Sequence, residues 1–515
     1  MRRGARAAGH LDDGRFDRVA LALALLAGLL HAAFANRYDF FRDELYFIVC
    51  GRHPQFGYAD QPPLVPLLAA TTYALGGQTW ILRLPPVIAA ALLPWLVVRF
   101  VRLLRGGDGA CWLAGVAAVI APMFLGLTAT LNTTSFEPLA WTAIAYGIAR
   151  AVLLDDRRAL LWTGLVAGVE LEVKYALPLW LGALAIGLLV TPERRLFRRR
   201  ELWLGLALAL VLALPSLVWQ ASHGLPFLEL VRNAGDKDVA VAPVAFLLNQ
   251  GFVMNPLLAP LWVAGYVAPF ALRLLAPMRF AAIAGVVTAA ATIAGHGKDY
   301  YLAPIYPTLF ALGAVALDRA VRNTVARFAY IALAVGLSTV AAPLALPILA
   351  PSALPHYMQA LHLAPQAQER EDVRNAAIAL PPTFADMVGW RTFVRQVADA
   401  YASLPADVRA RTSIVVDNYG EAGAIDVLGS AYGLPSPLSG HNQYGLWGTR
   451  GQDPRNVLRV QRDVASLKRY CGHVHVIAHT YASGARTSEN GKAIAFCENL
   501  HPSLETLWPS LRFIE

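Results

Sequence analysis

An acidic cluster lies in the polar stretch that follows the first apolar segment of the chain. Arg42, Asp43 and Glu44 are consecutive, and Asp60 and Gln61 precede the next apolar segment. Neighbouring carboxylates beside a cation can supply one general base and one group that orients a reactant or binds a metal ion. A hydroxyl group becomes a useful nucleophile when such a base accepts its proton. Alternatively, Asp43 and Glu44 only solvate a helix beside a membrane.

A second acid, Glu137, lies near the start of a later apolar segment. A carboxylate there is costly if it faces lipid, so we expect it to face a cavity. The alternative is an acid at a helix N-terminus, where the helix dipole favours negative charge. Either reading places Glu137 at the end of a helix.

Two further polar turns carry isolated cations and tyrosines. Lys174 lies in one of them, and Lys298, Tyr300 and Tyr301 lie in the other. A departing phosphate develops negative charge, and a lysine at headgroup depth would stabilise it. The two tyrosines could donate hydrogen bonds to the same phosphate. They could equally be aromatic anchors at the membrane interface.

The elements that position these residues are predicted to be membrane helices. Hydrophobic residues make up 56% of the 515 residues and charged ones 15%, and the mean hydropathy is +0.45. This composition is too apolar for a soluble protein of this length. A window of about 19 residues predicts about eleven spans, each roughly 20 residues long. They fill a transmembrane domain over residues 1–350.

The distribution of arginines predicts the orientation of these spans. The net charge is +9, but the arginines occur in short runs between alternate apolar segments, which favours a membrane protein and argues against a nucleic-acid partner. The arginine-rich loops and the N-terminus are therefore expected in the cytoplasm of a bacterial inner-membrane protein. The acidic loops, which include Asp43 and Glu137, are expected outside.

Residues 351–515 have ordinary polarity and are predicted to form a soluble α/β domain on the external side. Short strands are expected at 413–416 and 473–477, and helices at 390–403 and 457–470. Cys471 and Cys497 could pair if this domain is extracytoplasmic, or stay free. His473, His475 and His479 have strand spacing, but no further metal ligand is identifiable beside them.

These loops, in this order, resemble the bacterial membrane glycosyltransferases of family 39, which are related to protein O-mannosyltransferases and lipid A aminoarabinose transferases. The resemblance covers most of the chain and depends on several motifs together. They are Arg42-Asp43-Glu44, Asp60 to Leu64, Phe136 to Trp141, Gly168 to Tyr175, Pro215 to Gln220 with His223-Gly224, Lys298 to Pro304, Asn418 to Asp426, Gly440 to Asn442, and Trp447-Gly448.

The resemblance implies a C-type glycosyltransferase fold, a polyprenyl-phosphate sugar as donor and inversion at the anomeric carbon. It makes Asp43 the candidate general base, and Glu44 beside it is the second candidate catalytic residue. The candidates for binding substrate are Arg42, Asp60, Gln61 and Glu137. The candidates for binding the donor phosphate are Lys174, Lys298, Tyr300 and Tyr301. Relatives often have lysine at the position of Gln61 and aspartate at that of Glu137. A divalent metal ion is therefore left open, and the implied partners are the donor, membrane lipids and an unidentified glycan, lipid or protein acceptor.

Two functions from other classes remain as alternatives. A transporter or flippase of a lipid-linked saccharide would also be polytopic, but it should carry ionisable groups near the membrane midplane and often repeated halves. The charges here lie mainly at span ends, and no repeat is visible. A C-terminal binding module with a membrane anchor would need far fewer spans than the sequence predicts.

Overall fold

The computed structural model of the protein describes residues 17–237, 241–365 and 380–515. These residues divide into two compact units. The helical unit comprises Met1–Ala35, Arg83–Pro215 and Val241–Ile348, and the mixed unit comprises Asn36–Leu82, Ser216–Ala240 and Leu349–Glu515. A cytoplasmic N-terminus is expected from the arginines near it, and most of these arginines lie outside the described residues.

Helices dominate both units. In chain order they are α1 (Arg18–Phe34), α2 (Arg42–Arg52), α3 (Leu64–Ala74), α4 (Thr79–Leu82), α5 (Leu84–Leu103), α6 (Asp108–Ile120), α7 (Pro122–Leu127), α8 (Glu137–Leu154), α9 (Arg157–Leu171), α10 (Leu177–Leu189), α11 (Arg200–Ser222), α12 (Pro226–Lys237), α13 (Pro243–Val253), α14 (Ala259–Ala271), α15 (Arg279–Ala294), α16 (Tyr306–Ala320), α17 (Thr324–Ala341), α18 (Leu354–Ala360), α19 (Pro382–Ala385), α20 (Trp390–Ala402), α21 (Ala406–Arg409), α22 (Tyr419–Leu428), α23 (Asn442–Trp447) and α24 (Leu504–Leu511).

Several of these helices are long and apolar enough to cross a membrane. Within the described ranges five meet that criterion, and the bent pair of α13 with Pro256–Ala271 would make a sixth. Four further apolar helices have 10–17 residues: α1, α3, α6 and α10. The protein is therefore a multi-pass membrane protein, while the expected count of about eleven spans stays a prediction. The five helices are Leu84–Leu103, Arg200–Ser222, Ala276–Ala294, Asp299–Ala320 and Thr324–Leu344.

Small residues let the helices of the helical unit approach closely. A Cβ atom at Gly313 of α16 would lie 1.8 Å from the backbone oxygen of Leu261 in α14, and one at Gly265 would lie 2.3 Å from that of Leu309. Neither glycine can carry a side chain without moving a backbone. Membrane helices gain van der Waals contact by this packing, because lipid supplies no hydrophobic force between them.

The mixed unit is built around one five-stranded sheet. Its strands are β1 (Thr412–Val416), β2 (Leu438–Ser439), β3 (Asn456–Gln461), β4 (Cys471–His479) and β5 (Ala493–Leu500), in the order β2-β1-β3-β5-β4. β1 is parallel to β2 and β3, whereas β5 is antiparallel to β3 and β4. The fold class is thus confirmed as mostly helical with a C-terminal domain that contains a small sheet.

The predicted helix over 457–470 was wrong. This segment forms the central strand β3 and then a 3₁₀ helix, Val464–Arg469. All but one of the β3 residues are buried, because both of its neighbours pair with it and both of its faces are covered. A fully buried strand loses the alternation of polar and apolar residues that would distinguish it from a helix. The expected strands at 413–416 and 473–477 and the helix at Trp390 are present.

Cys471 and Cys497 form a disulfide, with their Cα atoms 5.4 Å apart. It joins the edge strand β4 to β5, in which Cys471 is opposite Leu500 and Cys497 is opposite Val474. Cys497 belongs to a small core with Val415, Leu438 and Trp508. The sequence left open whether these two cysteines are paired or free, and in the structure they are paired.

The mixed unit contains more than the C-terminal segment. Residues 36–82, which carry the first acidic cluster, pack within this unit, and α2 lies against α22. A Cβ atom at Gly423 of α22 would lie 3.1 Å from the backbone of Leu45 and Tyr46. The functional division into domains 1–350 and 351–515 stays a prediction.

Candidate active site

Glu44 fixes the start of α2. Its Oε2 accepts a hydrogen bond from the backbone N–H of Phe41 at 2.8 Å, and the residue is fully buried. A carboxylate at this position satisfies a backbone donor that has no partner within the helix. The contact favours a role in positioning the first turn, which displays Arg42 and Asp43.

Asp43 is held through one of its two carboxylate oxygens. Oδ1 accepts a hydrogen bond from the Tyr419 hydroxyl at 2.8 Å and lies 3.7 Å from Arg42 Nε. Among the described residues Oδ2 has no recorded partner, and 28% of the side chain is exposed. An oriented carboxylate with one accessible oxygen can accept a proton from a bound hydroxyl group.

Asp60 lies in a network of buried polar groups. Its Oδ1 accepts a hydrogen bond from the Tyr46 hydroxyl at 2.8 Å, and its Oδ2 accepts one from Asn442 Nδ2 at 3.3 Å. The Tyr46 oxygen in turn accepts the backbone N–H of Gln443 at 3.1 Å. Burial is the main influence that raises the pKa of Asp60, to about 6, and the negative charge of Asp43 adds to it.

The raised pKa of Asp60 predicts a pH-dependent stability. Because the folded state favours the neutral carboxyl, this group stabilises the protein fully below its unfolded pKa of 3.8 and loses that contribution as the pH rises through about 6. An Asp60→Asn variant is uncharged at every pH. We therefore expect its melting temperature, relative to the unmodified protein, to increase between about pH 4 and about pH 7. A relative melting temperature that is constant or falls would contradict this.

Gln61 presents a buried amide. The residue is 3% exposed, and its side-chain nitrogen and oxygen have no hydrogen-bond partner among the described residues. Its backbone oxygen accepts the N–H of Tyr58 at 3.0 Å. Buried polar groups are normally paired with protein or water, so this amide offers a donor and an acceptor to a ligand or an ordered water.

A second group, the lysine–tyrosine cluster, lies in the helical unit. Lys174 Nζ is 2.7 Å from Glu137 Oε2, and Glu137 is almost completely buried. The ammonium lies 5.8 Å from the ring centroid of Tyr300 and 5.2 Å from that of Tyr301. Glu137 begins α8 and pairs with a cation, whereas the expectation that it faces a cavity stays a prediction.

Lys298 and Glu170 lie beside this cluster. Lys298 precedes the 3₁₀ helix Asp299–Ile305, and its backbone oxygen accepts the Tyr301 N–H at 3.0 Å. The charges of Lys174 and Lys298 both act on the Tyr301 hydroxyl. Glu170 is buried, and its Oε1 has no hydrogen-bond partner within the described ranges. The cluster therefore holds two cations, two acids and two aromatic hydroxyls.

No metal centre is visible in the part of the chain that the structure describes. It contains no group of three or more His, Cys, Asp or Glu side chains arranged to hold an ion. His473 and His475 lie with their ring centroids 6.4 Å apart on the exposed strand β4. The possibility of a divalent ion stays open.

The predicted site residues thus fall into two local groups. Arg42, Asp43, Glu44, Asp60 and Gln61 lie in the mixed unit, and Glu137, Lys174, Lys298, Tyr300 and Tyr301 lie in the helical unit. Three further residues, Tyr46, Tyr419 and Asn442, form hydrogen bonds with Asp43 or Asp60, but no role was predicted for them. Tyr419 and Asn442 belong to motifs that carried the family resemblance, which was the only available signal.

Comparisons with known proteins find similar sequences and similar structures. Residues 60–219 match the family model of dolichyl-phosphate-mannose-protein mannosyltransferases. Over 195 residues the chain is 29% identical to lipid A galacturonosyltransferase RgtD from Rhizobium johnstonii, a match that covers 36% of this chain and 39% of the relative. The chain therefore spans well under half of that relative's length.

Solved structures resemble the whole chain. ArnT from Cupriavidus metallidurans bound to undecaprenyl phosphate has a TM-score of 0.60 at 15% identity, covering 94% of this chain and 98% of that one. Its apo state has a TM-score of 0.55, also at 15% identity, covering 92% and 97%. At this identity the likeness establishes the fold, which is the C-type glycosyltransferase fold. In sequence, the chain is similar to glycosyltransferases of the protein mannosyltransferase and lipid A galacturonosyltransferase kinds.

Proposed function

We propose that the protein is an inverting glycosyltransferase that moves a sugar from a polyprenyl-phosphate donor to an acceptor at the external face of the bacterial inner membrane. The observation that carries the proposal is the partly exposed carboxylate of Asp43, which is held through Oδ1 and has no recorded partner at Oδ2 among the described residues. An acceptor hydroxyl would transfer its proton to Oδ2 while its oxygen bonds to the anomeric carbon. The bond to phosphate breaks, and its electron pair leaves with the phosphate.

The donor class is supported by chemistry and by the relatives. The lysine–tyrosine cluster offers cations and hydroxyl groups that suit a phosphate developing charge. One structural neighbour was solved with undecaprenyl phosphate, and one relative is named for transfer to lipid A. We therefore propose an undecaprenyl-type phosphate in the donor and a cell-envelope lipid as the first acceptor to test, with glycans and proteins as further possibilities.

The Cys471–Cys497 disulfide supports the proposed orientation of the C-terminal domain. Disulfides persist in oxidising compartments such as the bacterial periplasm and are rare in the cytoplasm. We propose that residues 351–515 are extracytoplasmic and the N-terminus cytoplasmic. Labelling of single engineered cysteines with a membrane-impermeant thiol reagent in intact cells tests each end.

The proposed transfer can be separated from transport in a reconstituted system. The purified protein is placed in liposomes containing a radiolabelled undecaprenyl-phosphate sugar and lipid A acceptor. A transferase produces glycosylated acceptor and free undecaprenyl phosphate in equal amounts. Movement of intact donor between leaflets without its consumption would instead establish the flippase alternative.

If the lysine–tyrosine cluster binds the donor phosphate, replacing Lys174 by an uncharged residue should lower the affinity for the donor. A charge-assisted hydrogen bond is worth about 1.5–3 kcal/mol, so Lys174→Met should raise the donor KM about 10- to 100-fold. The same variant also leaves the buried Glu137 without its cation, so melting temperatures are measured in parallel. Lys468→Met, at an exposed position, is the control. An unchanged donor KM in folded Lys174→Met protein would remove Lys174 from the phosphate site.

A further inference from the structure

Tyr419 reaches the acidic cluster from the far end of the sequence. It is the first residue of α22, whose start is capped by Asn418 and Glu421. The Asn418 side chain accepts the N–H of Glu421 at 3.0 Å, and Glu421 Oε2 accepts the N–H of Asp417 at 2.8 Å. Capping of this kind fixes the first turn of a helix. The direction of the Tyr419 side chain is therefore set by the fold of the C-terminal segment.

The approach of α22 to α2 depends on a missing side chain. A Cβ atom at Gly420 would lie 2.5 Å from Cγ of Arg42, so only glycine lets the Arg42 stem lie over the start of α22. The Arg42 guanidinium then lies 5.3 Å from the ring centroid of Tyr419. The backbone N–H of Arg42 donates to the Asp386 oxygen at 3.0 Å. The contacts of Arg42 with Gly420 and Tyr419 hold the two helix starts together, and the bond to the backbone of Asp386 fixes the N-terminus of α2.

The contacts of Asp43 are asymmetric. Tyr419 and Arg42 both lie against Oδ1. A carboxylate fixed at one oxygen cannot rotate freely, so the direction of its second oxygen is defined. Holding a reacting group in its productive direction contributes strongly to rate, and a misplacement of about 1 Å can cost roughly 100-fold.

We propose that Tyr419 is a positioning residue for the base: its hydroxyl holds Oδ1 of Asp43 so that Oδ2 faces the acceptor hydroxyl. The inference rests on the proposed function, since it gives Tyr419 a task only if Asp43 is the base. The phenolic proton stays on Tyr419 throughout the reaction, and the acceptor proton goes to Oδ2. The C-terminal segment thereby supplies a functional group to the reaction.

The environment of Tyr419 keeps its hydroxyl available as a donor. Burial, with the negative charge of Asp43 adding to it, raises the pKa of Tyr419 well above its ordinary value. The phenol therefore remains protonated at every pH at which the enzyme would work. A phenylalanine at this position would keep the ring contacts with Tyr46 and His441 and lose only the hydrogen bond.

The test compares Tyr419→Phe with a matched variant. Tyr444→Phe removes the same kind of bond from another buried tyrosine of the same unit, because the Tyr444 hydroxyl donates to Asp426 Oδ2 at 2.8 Å. We expect Tyr419→Phe to lower kcat about 10- to 100-fold with both KM values within about twofold. Tyr444→Phe is expected to keep kcat within about twofold, with a similar change in melting temperature.

A double-mutant cycle separates positioning from structural damage. In the Asp43→Asn background, residual transfer of radiolabelled sugar should change less than about twofold when Tyr419→Phe is added, because the group that Tyr419 orients is already lost. Similar losses in both backgrounds, or a normal kcat in Tyr419→Phe alone, would overturn the inference. Full activity of Asp43→Asn by itself would overturn the base assignment and this inference together.

Two further variants test the proposal even if Tyr419→Phe does not fold. 4-Fluorophenylalanine at position 419 fills the volume of the hydroxyl without a donor, and 4-aminophenylalanine keeps a donor. We expect the first to lose kcat and the second to retain most of it. Equal kcat values for the two would show that the hydrogen bond has no part in catalysis.

Discussion

Replacing Asp43 by asparagine is expected to lower kcat by about 100- to 10,000-fold, the range that a positioned general base contributes. Asparagine keeps the shape of the side chain and can still accept the Tyr419 hydrogen bond through its amide oxygen. It cannot accept a proton from the acceptor hydroxyl. Because binding contacts elsewhere are retained, the donor KM should change little. Initial rates with radiolabelled donor measure both constants.

Asp39 provides the control for this variant. It lies just before α2 and pairs with Arg391 at 2.8 Å, at a partly exposed position. Exposed ion pairs contribute about 0–1 kcal/mol, so Asp39→Asn should leave kcat within about twofold. If Asp43→Asn retained kcat within about tenfold while the protein was folded, another group would have to be the base.

The largest effect on stability is expected at Lys492. Its ammonium is buried and lies 2.7 Å from Glu421 Oε1, 3.3 Å from Glu489 Oε2 and 3.7 Å from Asp417 Oδ2. Burial alone would lower the pKa of Lys492, but these carboxylates outweigh it and raise that pKa, so the cation persists. Lys492→Met leaves buried carboxylates without a counter-charge. We expect it to lower the free energy of unfolding by about 3–5 kcal/mol.

Unfolding by denaturant in mild detergent measures this loss. Lys468→Met changes an exposed lysine of the same domain, and its free energy of unfolding should stay within about 0.5 kcal/mol. If Lys492→Met lowered the free energy of unfolding by less than about 1 kcal/mol, the charges of Glu421 and Glu489 would have to be neutralised by something other than Lys492. Because Glu421 caps the helix that begins at Tyr419, activity should fall together with stability.

The sequence predicts the local features of the site well. Arg42, Asp43 and Glu44 share one turn of helix, and Tyr300 and Tyr301 are adjacent, so their proximity follows from spacing. The pairing of Glu137 with Lys174 was not predicted, although the cost of a bare carboxylate at a helix end in a membrane explains it. The C-type fold was anticipated from ordered motifs and is confirmed.

Long-range partners could not be read from spacing. Tyr419 and Asn442 meet Asp43 and Asp60 across more than 370 residues, and no periodicity relates positions that far apart. The segment 457–470 shows the same limit in local structure, since its burial on both faces depends on neighbouring strands. Tertiary contacts determine both the partners of Asp43 and Asp60 and the structure of segment 457–470. Only the family motifs, which include Tyr419 and Asn442, indicated that these two residues have a role.

The packing of residues 36–82 with the C-terminal segment has a consequence for biosynthesis. Asp43 leaves the ribosome early, whereas its tyrosine follows 376 positions later. A nascent or prematurely terminated chain that stops before Tyr419 carries the carboxylate without the hydrogen bond that Tyr419 supplies. We therefore expect insertion of the first helices to yield an inactive intermediate, and activity to arise only after the last strands have folded.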